Sequence, residues 1–221
     1  PFSSILRGFI LPKFFLENCG AYLAAIRSIG RTEEYFYMPV FESAAMIPPQ
    51  TRREALTEVR AQLDTVSGSI LNIRVGGNDL SHAFGLRRPA NRTIYDLRPV
   101  ADILIDIVAA FGTQYVVSGP VWEYYSGEGW EEGLRREMEL DLLNGFTGKT
   151  VIHPNQIPVV NEMLRVSQRD YADARAILNW DTGSGSLVSA SEDGGRMNEY
   201  NTHSRWARRI VLRAERYGVR A

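Results

Sequence analysis

The chain has 221 residues, enough for one large domain or two small ones, and 44% hydrophobic residues supply an ordinary globular core. Its 25 basic and 26 acidic residues leave a net charge of -1, which excludes the basic footprint of a nucleic-acid binder and gives no reason for a membrane-surface partner. Apolar stretches are too short or interrupted to span a bilayer, with Asp102 and Asp106 breaking the richest one, and no signal peptide is visible; a cytoplasmic protein acting on small molecules is expected.

In chain order, residues 5–11 read as a strand and 14–29 as a helix ended near Gly30. Cys19 lies on that helix without neighbours at metal-ligand spacing, so a buried structural thiol is expected. Residues 35–41 form the next strand. After Pro48 and Pro49, Thr51 with Glu54 spells a capping box, and Leu56, Val59, Leu63 and Val66 line one helical face until Ser67-Gly68 stops it. Residues 69–75 are again a strand. Asp96 is placed to cap a helix with Pro99 in its first turn, whose apolar face is Val100, Ile103, Leu104, Ile107 and Phe111. A strand begins over 115–117, a Gly- and Trp-rich loop over 127–130 leads into a helix to Leu143, and 150–152 is the last strand. Alternation of this kind is the signature of a parallel sheet.

Beyond Pro154 only helices are expected: one started by Ser167 with Asp170 and ending near Trp180, another from Thr202 to Tyr217 with Trp206, Ile210 and Ala214 on one face. Between them, 181–199 is rich in Gly, Ser, Asp and Glu and reads as a lid-like loop. The domains so drawn are 1–166 and 167–221. The only lysines are Lys13 and Lys149, which leaves few candidates for Schiff-base chemistry.

Polar groups collect at the carboxyl ends of the expected strands, where α/β enzymes keep their chemistry. Glu42 follows one strand and Asp79 the next. Neighbouring parallel strands lie about 4.8 Å apart, so the two carboxylates can share one hard cation such as Mg²⁺, or each can instead cap a helix or pair with an arginine. Gly76-Gly77 suits either close backbone approach to a ligand or a plain tight turn. Arg74, within a strand, either clamps an anion inside a barrel or pairs on the helical side. His153, held extended by Pro154, is either a functional hydrogen-bond donor or a satisfied imidazole. Lys13 after Leu11-Pro12 either binds a carboxylate or phosphate or simply begins a loop, and Trp122, Tyr124, Tyr125 and Trp130 suit core packing, a pocket or an interface.

Taken in order, Phe9-Ile-Leu-Pro-Lys13, Pro39-Val-Phe-Glu-Ser43, Val75-Gly-Gly-Asn-Asp-Leu80, Ser118-Gly-Pro120 and Gly145-Phe-Thr-Gly-Lys-Thr-Val-Ile-His-Pro154 resemble the HpcH/HpaI aldolase and citrate lyase β-subunit family, and within it the CitE-like carbon-carbon bond lyases. The resemblance implies an α/β TIM (β/α)8 barrel, here N-terminally incomplete with about the last five strands present, followed by a C-terminal helical extension. It implies Mg²⁺, or Mn²⁺ in its place, held by Glu42 and Asp79, and CoA as part of the substrate. The expected reaction is cleavage of a short 3-hydroxy acid or its CoA thioester to a 2-oxo acid and an acetyl-CoA or acetate-type product. Alternatives are an aldolase acting on free 2-oxo acids such as pyruvate, and a noncatalytic barrel that binds a metabolite or partner. Arg74, Lys13 and His153 are the candidate substrate-facing groups, with Gly76 and Gly77 approaching the ligand. The late Met-x-Asp motif of the family corresponds to Met197-Asn-Glu199, which makes Glu199 the candidate general acid/base. Family members are commonly oligomers, so a homo-oligomer, trimer or hexamer, is expected. Two departures stand out: about three strands that carry other site residues in the family are absent, and Pro48 to Arg53 is an insertion between the Glu and Asp strands.

Overall fold

The alternation of short apolar strands with amphipathic helices builds one parallel sheet in the computed structural model, which describes residues 5–29, 35–181, 188–192 and 194–220. In chain order the elements are β1 (Gly8–Leu11), α1 (Leu16–Ser28), β2 (Phe36–Phe41), α2 (Pro49–Asp64), β3 (Ile73–Val75), α3 (Gly77–Ala83), α4 (Arg98–Phe111), β4 (Val117–Gly119), α5 (Trp130–Leu143) and β5 (Gly148–Lys149). Each strand lies beside its predecessor and every pair is parallel. That unbroken order is the wall of a barrel; a doubly wound sheet reverses its order partway.

Register decides which face carries chemistry. Phe41 pairs with Val75, and Ile73 with Val117. All four are buried in one core with Leu23, Leu56, Val59, Leu63, Val100, Ile103, Ile107 and Phe111 from α1, α2 and α4. Each such fully buried side chain contributes about 1.5–3 kcal/mol. Because side chains alternate along a strand, the intervening positions Val40, Arg74 and Ser118, paired in register, face away from that helical layer.

Residues 48–53 are anchored by charge. Arg52, almost fully buried, donates to Asp106 (Nε to Oδ2 2.8 Å) and to the carbonyls of Met46 and Ile47. Arg53 adds a second contact to Asp106, so the carboxylate that interrupts the apolar face of α4 is the one that docks α2.

Several local expectations change. No side-chain cap opens α2: the helix starts directly at Pro49, whose missing N–H costs nothing in a first turn. Asp96 does not cap α4; it closes a capping box with Thr93 around the single turn Ile94–Asp96, and Leu97 takes the N-cap of α4. The last strand of the parallel sheet is Gly148–Lys149 rather than 150–152, and short strands follow it where only helices are expected beyond Pro154. Gly148 can lie against Ser118 because it has no side chain, Lys149 finds buried carboxylates, and Ile152 is left half-exposed. The seven-residue α3 begins in what reads as a Gly-Gly turn. Finally, α6 (Gln156–Met163) forms despite Pro154 and Pro158, because Pro158 falls in its first turn.

The chain divides into two compact units, Pro1–Val159 and Val160–Ala221. The second pairs β6 (Val166–Ser167) with β9 (Val219–Arg220) in parallel, and packs α7 (Gln168–Leu178) on α8 (Tyr200–Tyr217) through Ala174, Ile177, Ala207, Ile210 and Ala214. Ser167 caps α7 as expected, its Oγ accepting the Asp170 N–H at 3.1 Å. In the segment read as a lid, residues 182–187 and 193 lie outside the described residues, while β7 (Val188–Ala190) and β8 (Met197–Glu199) form an antiparallel hairpin. Arg196 ties it down, donating to Asp173 (2.6 Å) and Asp170 (2.8 Å) with its guanidinium over Trp206. Among the described residues no helix is long and apolar enough to cross a membrane.

Candidate functional site

Three of the sequence-selected residues converge at the carboxyl ends of β1, β2 and β3. Beyond β1 the chain turns sharply at Lys13, which holds a left-handed backbone (φ 50°) that costs a non-glycine residue about 1–2 kcal/mol. The turn is over-determined: the Tyr22 hydroxyl donates to the Pro12 carbonyl (2.9 Å), Asn18 Nδ2 to the Lys13 carbonyl (2.7 Å), and the Phe14 N–H to the Val40 carbonyl (2.9 Å). Its product is an aimed donor, since the Lys13 N–H meets Glu42 Oε1 at 2.9 Å. The Lys13 ammonium reaches Asp79 Oδ1 at 3.0 Å. One residue thus holds both carboxylates, and the hydrogen bond and charge of Asp79 raise the ammonium's pKa above the ordinary lysine value.

Glu42 is seated from below by Gly76. A Cβ at that position would stand 2.3 Å from Glu42 Cβ and 2.4 Å from Oε2, so the absent side chain is the cradle of the carboxylate. Gly77 is buried and its space belongs to Ile94 and Pro120, 2.5 and 2.7 Å from an added Cβ. Both glycines therefore serve packing around the site. Asp79 lies in the first turn of α3, directly beyond β3.

The remaining candidates make contacts of their own. Arg74, on the sheet face opposite the helices, donates to Thr150 Oγ1 across β4 at 3.4 Å. His153 stacks on Tyr125 (centroids 4.3 Å, planes 10° apart) and accepts the Asn155 N–H at its Nδ1. Asn155 and Gln156 return hydrogen bonds to the carbonyls of Tyr125, Trp122 and Tyr124, fastening the loops after β4 and β5 together. Trp122 is fully buried beneath Arg88, whereas Tyr125 is exposed. Glu199 belongs to the second unit, where its N–H donates to His203 Nδ1 at 3.0 Å just ahead of α8. His82 is exposed on α3.

Sequence reasoning missed a buried ionic layer. Lys149 Nζ donates to Glu137 Oε1 (2.7 Å) and Asp141 Oδ2 (2.8 Å), Arg88 Nε stands 2.9 Å from Glu137 Oε2, and the Tyr95 hydroxyl donates to Asp141 Oδ1 (2.7 Å). Burial pushes the Asp141 carboxyl and the Tyr95 phenol up from their usual values. The signal was present: Glu137 and Asp141 are one turn apart on the face of α5 that carries Leu134 and Met138. This layer accounts for Lys149 structurally.

The donor set fits a hard divalent cation. Both carboxylates contact Lys13, Glu42 at its backbone N–H and Asp79 at its ammonium, and all their donor atoms are oxygen. No group of three or more His, Cys, Asp or Glu suited to a metal occurs among the described residues. Two carboxylates with the other positions filled by water and substrate is a usual arrangement for Mg²⁺.

The profile of a family described as a C-C bond lyase of the TIM-barrel fold matches residues 2–219. The L-malyl-CoA/beta-methylmalyl-CoA lyase of Cereibacter sphaeroides is 38% identical over 74 residues, which are 33% of this chain and 22% of that protein. Among solved structures, CitE from Mycobacterium tuberculosis in complex with magnesium, acetoacetate and coenzyme A superposes with a TM-score of 0.62 at 22% identity, over 93% of this chain and 67% of that one. A citrate lyase from Burkholderia xenovorans LB400 gives 0.68 at 15% identity, over 97% and 65%. At these identities the structural likeness speaks for the fold.

Proposed function

The chain belongs to the C-C bond lyase family of the TIM-barrel fold, and we propose that it serves a Mg²⁺-dependent cleavage of a short 3-hydroxy acid, carried as its CoA thioester, into a 2-oxo acid and acetyl-CoA. The observation that carries the reading is the convergence of Glu42 and Asp79 on Lys13 at the ends of neighbouring strands. Magnesium in the CitE complex and the thioester named for the malyl-CoA lyase support it. Mn²⁺ satisfies the same oxygen donors.

Glu42 and Asp79 would hold the cation, which when bound supplies Lewis-acid stabilisation of oxygen charge on the acid. Glu42 is kept in position by the Lys13 N–H and by the cradle at Gly76. Arg74 and Lys13 supply positive charge for the substrate carboxylate, and His153 a donor for the oxygen on which enolate charge develops. In the reaction the hydroxyl gives up its proton, the C–C bond breaks to leave the 2-oxo acid and a thioester enolate, and the enolate carbon takes a proton. Glu199 is assigned that proton traffic from its place in the Met-x-Glu segment. A homo-oligomer is the expected assembly.

The test is release of acetyl-CoA from malyl-, citramalyl- and citryl-CoA, with Mg²⁺ and with chelator, against the free hydroxy acids. Metal-dependent cleavage of a thioester alone supports the reading. Cleavage of the free acids, or aldol addition to pyruvate without CoA, moves the chain to the aldolases, and ligand binding without any cleavage makes it a noncatalytic barrel.

A further inference from the structure

Lys13 is a strange choice for its position. The turn after β1 holds it left-handed, where glycine would sit without strain, and three hydrogen bonds from α1 and β2 keep it there. Its backbone contribution, the N–H to Glu42, would survive replacement by glycine. What glycine would lose is the ammonium, and that ammonium lies on Asp79 at 3.0 Å, where the charge of a shared cation would fall. Both partners are substantially exposed, 66% and 49%, so the pair can open at little cost.

Resting on the metal-site reading above, we infer that Lys13 is the resident counter-cation of the site. Its ammonium neutralises Asp79 when no divalent ion is bound, is displaced when one enters, and its backbone N–H stays on Glu42 throughout. Two positive charges cannot share Asp79 cheaply, so the ammonium lowers metal affinity, and displacement turns it outward as a free cation for an incoming carboxylate. The strained lysine thereby couples cation entry to the exposure of an anion-binding group.

Composition supplies the test, because Lys13 and Lys149 are the only lysines. With lysine labelled at Cε, the chain gives two side-chain resonances, and Lys149, sealed in the buried ionic layer, is the internal reference. Titration with Mg²⁺ should move the Lys13 resonance and leave that of Lys149 in place. Calorimetry on K13G, which suits the left-handed turn, and on K13M should show Mg²⁺ bound roughly threefold to tenfold more tightly than by the parent. Metal binding that D79N abolishes, with an unmoved Lys13 resonance and unchanged affinity in K13G, overturns this inference and leaves the metal site standing. Binding indifferent to D79N, or undetectable in parent and K13G alike, overturns both. Binding that appears only in the Lys13 variants supports displacement in its strongest form.

Discussion

Replacing Lys149 by methionine keeps its volume and removes the charge that holds two buried carboxylates. Its ammonium lies 2.7 Å from Glu137 and 2.8 Å from Asp141, and all three side chains are at most 1% exposed. Arg88 and the Ile94 N–H continue to hold Glu137, and Tyr95 to hold one oxygen of Asp141, so the variant buries one uncompensated negative charge. Breaking one side of such a pair costs about 3–5 kcal/mol. A ceiling comes from proton uptake: keeping Asp141 neutral at pH 7, from an unfolded pKa of about 3.9 and at about 1.36 kcal/mol per pH unit, costs about 4 kcal/mol, and at pH 5 only about 1.5. The sign follows from burial, which raises the folded carboxyl's pKa. Its burden is absent below the unfolded pKa and grows as pH rises toward the folded one, so the K149M deficit shrinks on acidification. Urea unfolding followed by circular dichroism at pH 7 and pH 5 measures both values, and K149M/D141N should recover much of the loss at pH 7. A deficit below about 1 kcal/mol at pH 7, or equal deficits at both pH values, would refute the assignment of this layer as a charge-balanced core.

Gly76→Ala should leave the fold intact and weaken Mg²⁺ binding, because the new Cβ would meet Glu42 within 2.4 Å and push its carboxylate off the cradle; calorimetry beside a thermal melt separates the two effects. Asp96→Ala removes the carboxylate that accepts the Thr93 N–H at 2.7 Å and should cost about 1 kcal/mol at neutral pH. That same N–H holds the Asp96 carboxyl below its usual pKa. Its stabilisation is therefore present above the unfolded value and lost as pH falls through the folded one, so variant and parent should converge in acid.

What the sequence disclosed follows from the range over which each signal acts. The apolar face Val100, Ile103, Leu104, Ile107 and Phe111 is a local period-3.6 pattern, and every one of those residues is buried. The neighbourhood of Glu42 and Asp79 was legible because each follows its strand closely, and parallel pairing of β2 with β3 brings the strand ends together. The part played by Lys13 was hidden, since a left-handed lysine is set by Asn18, Tyr22 and Val40, contacts that no local pattern announces. Capping proposals at Thr51 and Asp96 misplaced their helix starts by three residues and by one, because prolines at Pro49 and Pro99 fixed the starts instead. The strand expected over 150–152 shifted to Gly148–Lys149 because Lys149 is drawn to carboxylates twelve and eight residues earlier on α5.

The central claim, that Glu42 and Asp79 hold one divalent cation, is tested most directly by titrating Mg²⁺ into the parent chain, Glu42→Gln and Asp79→Asn by calorimetry, with and without pyruvate or oxaloacetate. The account predicts binding by the parent that the oxo acid strengthens, and loss of that binding in both variants with their folds retained. A parent that binds no divalent cation, or variants that bind it as the parent does, would contradict it.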